Sequence, residues 1–177
     1  VIFVEDEFAK LWVEAILRKN LTDHFSRLEV HALSGDGNAV KIHNSHSEDP
    51  SISSKSMCIL DGDSQQEEDE NKNIFRLPGK MPEREIFDGV YKHINSDLVK
   101  LTVACQLPSS DQEIFKQTLD SVNQTNRDAH LLYVQIGDAM HLTPESTIRG
   151  AFFTYWIEHN QPYCEKLAVS IQKILEE

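Results

Sequence analysis

The chain has 177 residues, of which 40% are hydrophobic and 26% charged. That globular composition excludes a collagen or a disordered tail, and no apolar run approaches the roughly 20 residues of a membrane span. Its 29 acids against 17 bases leave a formal net charge of −12, so any nucleic-acid role needs metal ions or a second, basic surface, because such affinity comes largely from basic side chains that displace counterions.

The sequence begins without Met, directly in the apolar run Val1-Ile2-Phe3-Val4, with no signal-peptide pattern ahead of it. It reads as a piece cut from a longer protein. The run passes straight into Glu5-Asp6-Glu7, which predicts a buried strand ending in an acidic turn. From Phe8, the apolar residues Phe8, Leu11, Trp12, Ala15 and Ile16 follow helical spacing, while Lys10, Glu14 and Arg18 fall on the other face. Acids at that helix start suit its dipole. A second strand is expected at 28–33 and a third at 57–60, the latter a continuous apolar run of the kind central parallel strands show. The Ser/His/Asn-rich stretch 43–55 and the Gln/Glu/Asp-rich stretch 64–73 read as solvated loops. A fourth short strand is expected at 74–77, closed by Pro78-Gly79, and Pro82 can open a helix with Glu83 and Glu85 in its first turn. Helical spacing follows around 82–94, 112–122, 128–140, 144–159 and 162–175, with Thr143-Pro144-Glu145 as an N-terminal cap. Cys58, Cys105 and Cys164 are far apart with no CxxC pair, which supports neither a disulfide framework nor a zinc ribbon and fits a reducing, cytoplasmic setting.

The most informative residues are Glu5, after the first strand, and Asp61-Gly62-Asp63, after the third. Ligands of open α/β sheets bind beyond the carboxyl ends of the strands, and both acidic groups fall on that edge. In extended chain Asp61 and Asp63 project to the same side, and Gly62 leaves the backbone free to turn between them. Carboxylates held this close repel unless a cation compensates. Mg²⁺ or Mn²⁺, which prefer hard oxygen ligands, suit an all-carboxylate set. A lone Asp-x-Asp turn is often merely solvated; its combination with Glu5 carries the expectation. A calcium EF-hand is excluded, since Gln66 stands where the sharp turn needs Gly and Lys72 where the bidentate Glu belongs.

Other residues read as structural. His43 and His46 are expected to be exposed in a loop, because HxxH spacing without further ligands is a weak metal signal. Gly35-Asp36-Gly37-Asn38 reads as a tight turn that supports the site without ligating. Phe152, Phe153, Tyr155, Trp156 and Ile157 read as core and interface on a helix, not as a base-stacking platform. Tyr133 and Tyr155 lack the surroundings of a nucleophile.

Val1-Ile2-Phe3-Val4-Glu5-Asp6-Glu7, then Gly35-Asp36-Gly37-Asn38, then Ile59-Leu60-Asp61-Gly62-Asp63-Ser64 together resemble a TOPRIM domain: a strand-end glutamate, a glycine turn and a DxD. Leu77-Pro78-Gly79-Lys80-Met81-Pro82-Glu83 is similar to the version found in the overcoming-lysogenization-defect (OLD) family of ATPase-coupled nucleases, which includes antiphage effectors. The resemblance implies an α/β fold with a mostly parallel central sheet flanked by helices over residues 1–110, and a helical C-terminal region packed on it over 111–177. It implies Glu5, Asp61 and Asp63 as catalytic metal-site acids with Glu83 as a further member, Mg²⁺ or Mn²⁺ as cofactor, and DNA as the substrate of a metal-dependent endonuclease. Many TOPRIM sequences carry Gly directly after the first glutamate and an acid four residues beyond it; here Asp6 and Ala9 stand there, leaving Asp6 or Glu7 to substitute. The OLD likeness also implies a basic catalytic residue from the helical tail. Lys166 is the choice, although no local motif singles it out from an ordinary exposed helix lysine beside Glu165. The implied partners are an ATPase region of the same longer chain, a second copy in a homo-oligomer, and no membrane. No GxxxxGK[ST] loop occurs in this sequence.

Two other readings compete. Val4-Glu5-Asp6-Glu7 also resembles the start of a response-regulator receiver, a phosphoacceptor domain. Against it stand the long insertion before the third strand, the second acid at Asp63, and the lack of a hydrophobic–Lys–Pro signature near a fifth strand, of which Lys80-Met81-Pro82 is a poor imitation. The third reading is a non-catalytic interaction domain with a solvated acidic loop.

Overall fold

A computed structural model describes residues 1–176. Along the chain run β1 (Ile2–Val4), α1 (Glu7–Asn20), β2 (Val30–Ala32), α2 (Asp36–Glu48), β3 (Met57–Leu60), β4 (Ile74–Arg76), α3 (Pro82–Tyr91), α4 (Ile94–Ala104), α5 (Gln112–Thr125), α6 (Leu132–Ala139), α7 (Glu145–His159) and α8 (Gln161–Glu176). They form two compact units, Val1–Pro82 with Asn160–Glu177, and Glu83–His159. The boundary expected at 110 falls inside the second unit, in the 3-10 turn Ser109–Asp111 that leads into α5. Among the described residues, no helix is long and apolar enough to cross a membrane.

The first unit is α/β. Its four strands are all parallel, in the order β2-β1-β3-β4. β1 and β3 take the centre because every residue of both is apolar and buried, the pattern of strands covered on both faces. Phe3 pairs with His31 and Cys58, Cys58 with Ile74, and Leu60 with Arg76. α1 lies against β1 and β2, and α8 lies beside α1, contributing buried Cys164, Leu167, Ala168 and Ile171. α2 covers β1 and β3, with Ala39 in a cluster with Cys58, Leu60 and Ile74. The chain thus moves from β1 outward to β2, then returns past β1 to β3. Right-handed crossovers put α1 and α2 on opposite faces, and the carboxyl ends of β1 and β3 flank the point where the topology reverses.

The predicted third strand has the observed bounds. The second is shorter than expected because a 3-10 turn at Phe25–Arg27 precedes it, with Leu28 N donating to Phe25 O. The fourth ends one residue early at Arg76, although Leu77 N still donates to Leu60 O at 2.8 Å.

The larger correction concerns 43–55. Through Glu48 this stretch is helix, and His43 is 1% exposed. Its Nε2–H donates to Lys72 O at 2.7 Å and its Nδ1 accepts from Ser56 Oγ at 3.0 Å. His46 sets its ring against Phe3, with centroids 5.6 Å apart. Tertiary partners thus override the weak helix preference of Ser, His and Asn. Burial lowers the His43 pKa below its usual 6.5, with His46 and the N-terminal charge acting in the same direction and the Lys72 carbonyl against it. Because the folded pKa is depressed, the unfolded chain binds a proton first, and stability present above about pH 6.5 falls as pH drops through that value. His43→Leu should destabilise the chain at pH 7.5 by about 1–3 kcal/mol, since Ser56 and Lys72 lose a partner. In urea unfolding, the gap between wild type and variant should narrow at pH 5; a constant gap would contradict this role.

The second unit is helical. Phe152, Phe153, Tyr155, Trp156 and Ile157 of α7 are all buried, as the sequence predicts. Gly89 on α3 allows a close approach: a Cβ there would lie 2.5 Å from Trp156 Cδ1. α4 has no counterpart in the sequence-based elements. Its apolar residues are split between buried Ile94 and Leu101 and exposed Val99 and Val103, and Asp97 breaks its helical geometry (φ −128°, ψ 19°).

Candidate functional site

Glu5 follows β1 directly. Its carboxylate does not point away from the third strand: Oε1 accepts the Asp61 N–H at 2.8 Å. The two central strand tips are therefore tied together by one side chain at the reversal point, where α/β sheets bind ligands. The next residue, Asp6, is committed elsewhere. It is the N-cap of α1, with Oδ1 accepting from Ala9 N at 2.8 Å. Glu7 is exposed in the first helical turn, 3.7 Å from Lys10 Nζ. Both of these acids thus have partners within the first turn of α1.

The β2–α2 turn completes the cluster. Gly35, at φ 96°, caps α2 and donates its N–H to Glu5 O at 3.1 Å, a backbone angle that L side chains rarely adopt. Asp36 then bridges to the turn after β3. Its Oδ2 accepts from Ser64 Oγ at 2.8 Å and Gln65 N at 3.1 Å, and its Oδ1 accepts from Gly37 N. Asp61 is 6% exposed, while Asp63 is on the surface. Gly62 is needed for space: a Cβ there would lie 1.9 Å from Gly79 O. Gly79 itself has φ 79°, so the Pro78-Gly79 turn and the Asp61-Gly62-Asp63 turn meet backbone to backbone.

The electrostatics distinguish two carboxylates. Burial pushes the Glu5 carboxyl above its usual range; the Asp61 N–H and Ser64 hydroxyl partly offset this, and the charges of Asp36 and Asp63 add to it. The Asp36 carboxyl is held below its usual range, chiefly by the Ser64 hydroxyl and further by the N–H groups of Gly37, Gln65 and Gln66. Environments that drive neighbouring carboxyls apart are a feature of acid–base and ion sites. Negative charge is thus concentrated at this edge, yet among the described residues no three His, Cys, Asp or Glu side chains are disposed to hold a metal ion together.

Arg76, at the end of β4, braces the turn. Its Nη1 donates to the carbonyls of Asp61, Gly62 and Ser64 at 3.0, 3.4 and 3.0 Å, and its Nη2 to Gln66 O at 2.5 Å. Neither Asp36 nor Arg76 was singled out as a site residue from sequence. The Leu60↔Arg76 register that aims Arg76 is visible only in the sheet.

Two further expected site residues have these surroundings. Glu83 belongs to the second unit, is 4% exposed, and its Oε1 pairs with His130 Nδ1 at 2.6 Å while its carbonyl accepts from Tyr133 Oη at 2.9 Å. Lys166 is exposed on α8, and its carbonyl accepts from Ser170 Oγ. Comparison of the chain with protein-family models, curated proteins and solved structures gives no match.

Proposed function

We propose that the edge formed by Glu5, Asp36, Asp61 and Asp63 is a Mg²⁺- or Mn²⁺-dependent site for phosphodiester hydrolysis, with DNA as substrate. The observation that carries this reading is the Glu5–Asp61 bond of 2.8 Å across the tips of the two central strands, at the topological reversal and beside two further carboxylates. The donors are all hard oxygens, with no His or Cys among them, which fits these ions. When bound there, such an ion would supply a water of lowered pKa and positive charge for the leaving oxygen. An ion would have to draw Glu5, Asp61 and exposed Asp63 together, since among the described residues no three such side chains are disposed to hold one as they stand. Asp36, occupied by Ser64 and Gln65, keeps the turn in place.

The TOPRIM and OLD resemblance agrees with this reading and extends it to an antiphage nuclease driven by an ATPase region, acting as an oligomer. A basic residue such as Lys166, and Glu83, remain proposed members of that larger assembly. The receiver alternative is disfavoured by one observation: among the described residues the sheet has four strands, and none lies beyond β4 to bring a lysine toward Asp61.

The test uses bis(p-nitrophenyl) phosphate, a diester too small to need a DNA-binding surface, alongside supercoiled plasmid. Hydrolysis that requires Mn²⁺ or Mg²⁺ and disappears on addition of chelator is expected. Absence of hydrolysis of both substrates at millimolar metal, or formation of an acylphosphate on Asp61 from acetyl phosphate, would replace this reading.

A further inference from the structure

The sequence holds three Asp-Gly steps, Asp36-Gly37, Asp61-Gly62 and Asp88-Gly89. An aspartate followed by glycine can close on itself, because the glycine nitrogen lies within reach of the side-chain carboxyl and no Cβ stands in its way. We propose that Asp36-Gly37 is a site of spontaneous succinimide and isoaspartate formation, and that the fold protects the other two steps. Asp36 Oδ1 accepts the Gly37 N–H at 2.6 Å. The carboxyl thus lies against the nitrogen that must attack it, a contact of the kind that speeds an intramolecular reaction. Both residues are in the first turn of α2, where an N–H has no carbonyl four residues back to hold its peptide plane. Gly37 is exposed, and a Cβ there would meet only Gln66 Nε2, at 3.9 Å.

The other two steps are held. Asp61 is 6% exposed, and Arg76 Nη1 binds the carbonyls of both Asp61 and Gly62. Gly62 is wedged against Gly79 O, so this peptide plane cannot turn toward the side chain. Asp88-Gly89 lies inside α3, where the N–H belongs to the helical ladder, and the Asp88 carboxylate is taken by Arg84 at 2.6 Å.

The chemistry is balanced by water alone. Gly37 N attacks Asp36 Cγ; the N–Cγ bond forms, the C–OH bond breaks, and the N–H proton leaves with that hydroxyl as water. Water then adds to the succinimide. Opening at Cγ restores aspartate, while opening at the main-chain carbonyl carbon leaves the chain running through the side chain as isoaspartate. No metal ion or partner is needed, so the step stands apart from the cation reading above. Isoaspartate adds a methylene to the backbone between β2 and α2 and moves the carboxylate onto Cα. The bonds that Ser64 Oγ and Gln65 N give to Asp36 Oδ2, at 2.8 and 3.1 Å, are then lost, and the β2–α2 turn is released from the turn after β3.

The experiment incubates folded wild type in heavy-oxygen water at pH 7, with a parallel sample in urea. Peptide mass spectrometry with electron-transfer fragmentation then reads label and isoaspartate at each Asp-Gly step, since every opening of a succinimide leaves a heavy oxygen in the residue. In the folded chain Asp36 should gain label about tenfold or more faster than Asp61 or Asp88, a scale on which fixed geometry separates such steps. In urea the three rates should converge. Gly37→Ala, whose Cβ has space, should keep the fold and remove most of the label at Asp36. Amide exchange at Gln65 should be faster in the isoaspartate-containing protein than in fresh protein. No label at Asp36, equal rates at the three steps in the folded chain, or unchanged labelling of Asp36 in Gly37→Ala would overturn the proposal.

Discussion

Glu5→Gln should leave the chain folded while lowering metal-dependent diester hydrolysis about 10–100-fold. The glutamine carbonyl can still accept the Asp61 N–H, so the 2.8 Å tie between β1 and β3 persists; what disappears is the charge. The sign of the stability change is informative. Burial raises the Glu5 pKa in the folded chain above its ordinary 4.5. The native state therefore holds its proton longer than the unfolded state, and stability falls as pH rises from about 4.5 through the folded value. At pH 8 without metal, the ionised glutamate is a burden that glutamine does not carry. Glu5→Gln should melt at the same temperature as wild type or higher in chelator, and should lose the stabilisation that Mn²⁺ gives wild type. Asp61→Asn should likewise remove hydrolysis. A variant that melts lower in chelator yet hydrolyses at the wild-type rate would show that Glu5 only joins the strands.

Gly62→Ala should cost about 3 kcal/mol, the upper end of ordinary overpacking. The new Cβ would lie 1.9 Å from Gly79 O and 2.6 Å from Gly79 C. Both are backbone atoms, so no side-chain rotation relieves the clash. Either the Pro78-Gly79 turn or the Asp61-Gly62-Asp63 turn must move, and the second cannot move without breaking Arg76's bonds to Asp61, Gly62 and Ser64. Stability and Mn²⁺ affinity should therefore fall together. Gly150→Ala on α7 is the control. A Cβ there meets nothing within 4 Å, and alanine should stabilise that helix by about 0.5–1 kcal/mol. Urea unfolding measures both; a Gly62→Ala change within about 0.5 kcal/mol of wild type would mean the two turns are loosely apposed.

Much of the first unit was legible because its signals are local. Met57–Leu60 is an uninterrupted apolar run between Ser-rich and Asp/Gly-rich segments, and its observed bounds match. Glu5 and Asp61 could be placed on one edge because both directly follow central strands of a parallel sheet. Asp6 as a helix cap was also within reach, since an Asp three residues before Ala9 at the start of an amphipathic run is an N-cap signature. What was not legible depends on partners distant in sequence. His43 makes α2 continue by finding Ser56 and Lys72. Asp36 reaches Ser64, 28 residues on. Arg76 acquires its role only once β3 and β4 are in register. The return of α8 to α1 was hidden for the same reason, because one amphipathic helix looks much like another until its neighbour is known.

Titration of the chain with Mn²⁺, followed by electron paramagnetic resonance in wild type, Glu5→Gln and Asp61→Asn, bears most directly on whether these strand tips hold a divalent cation. Saturable binding by the wild type, weakened about tenfold or more by either substitution, is the expected result. Equal binding by all three proteins, or none by the wild type, would contradict it.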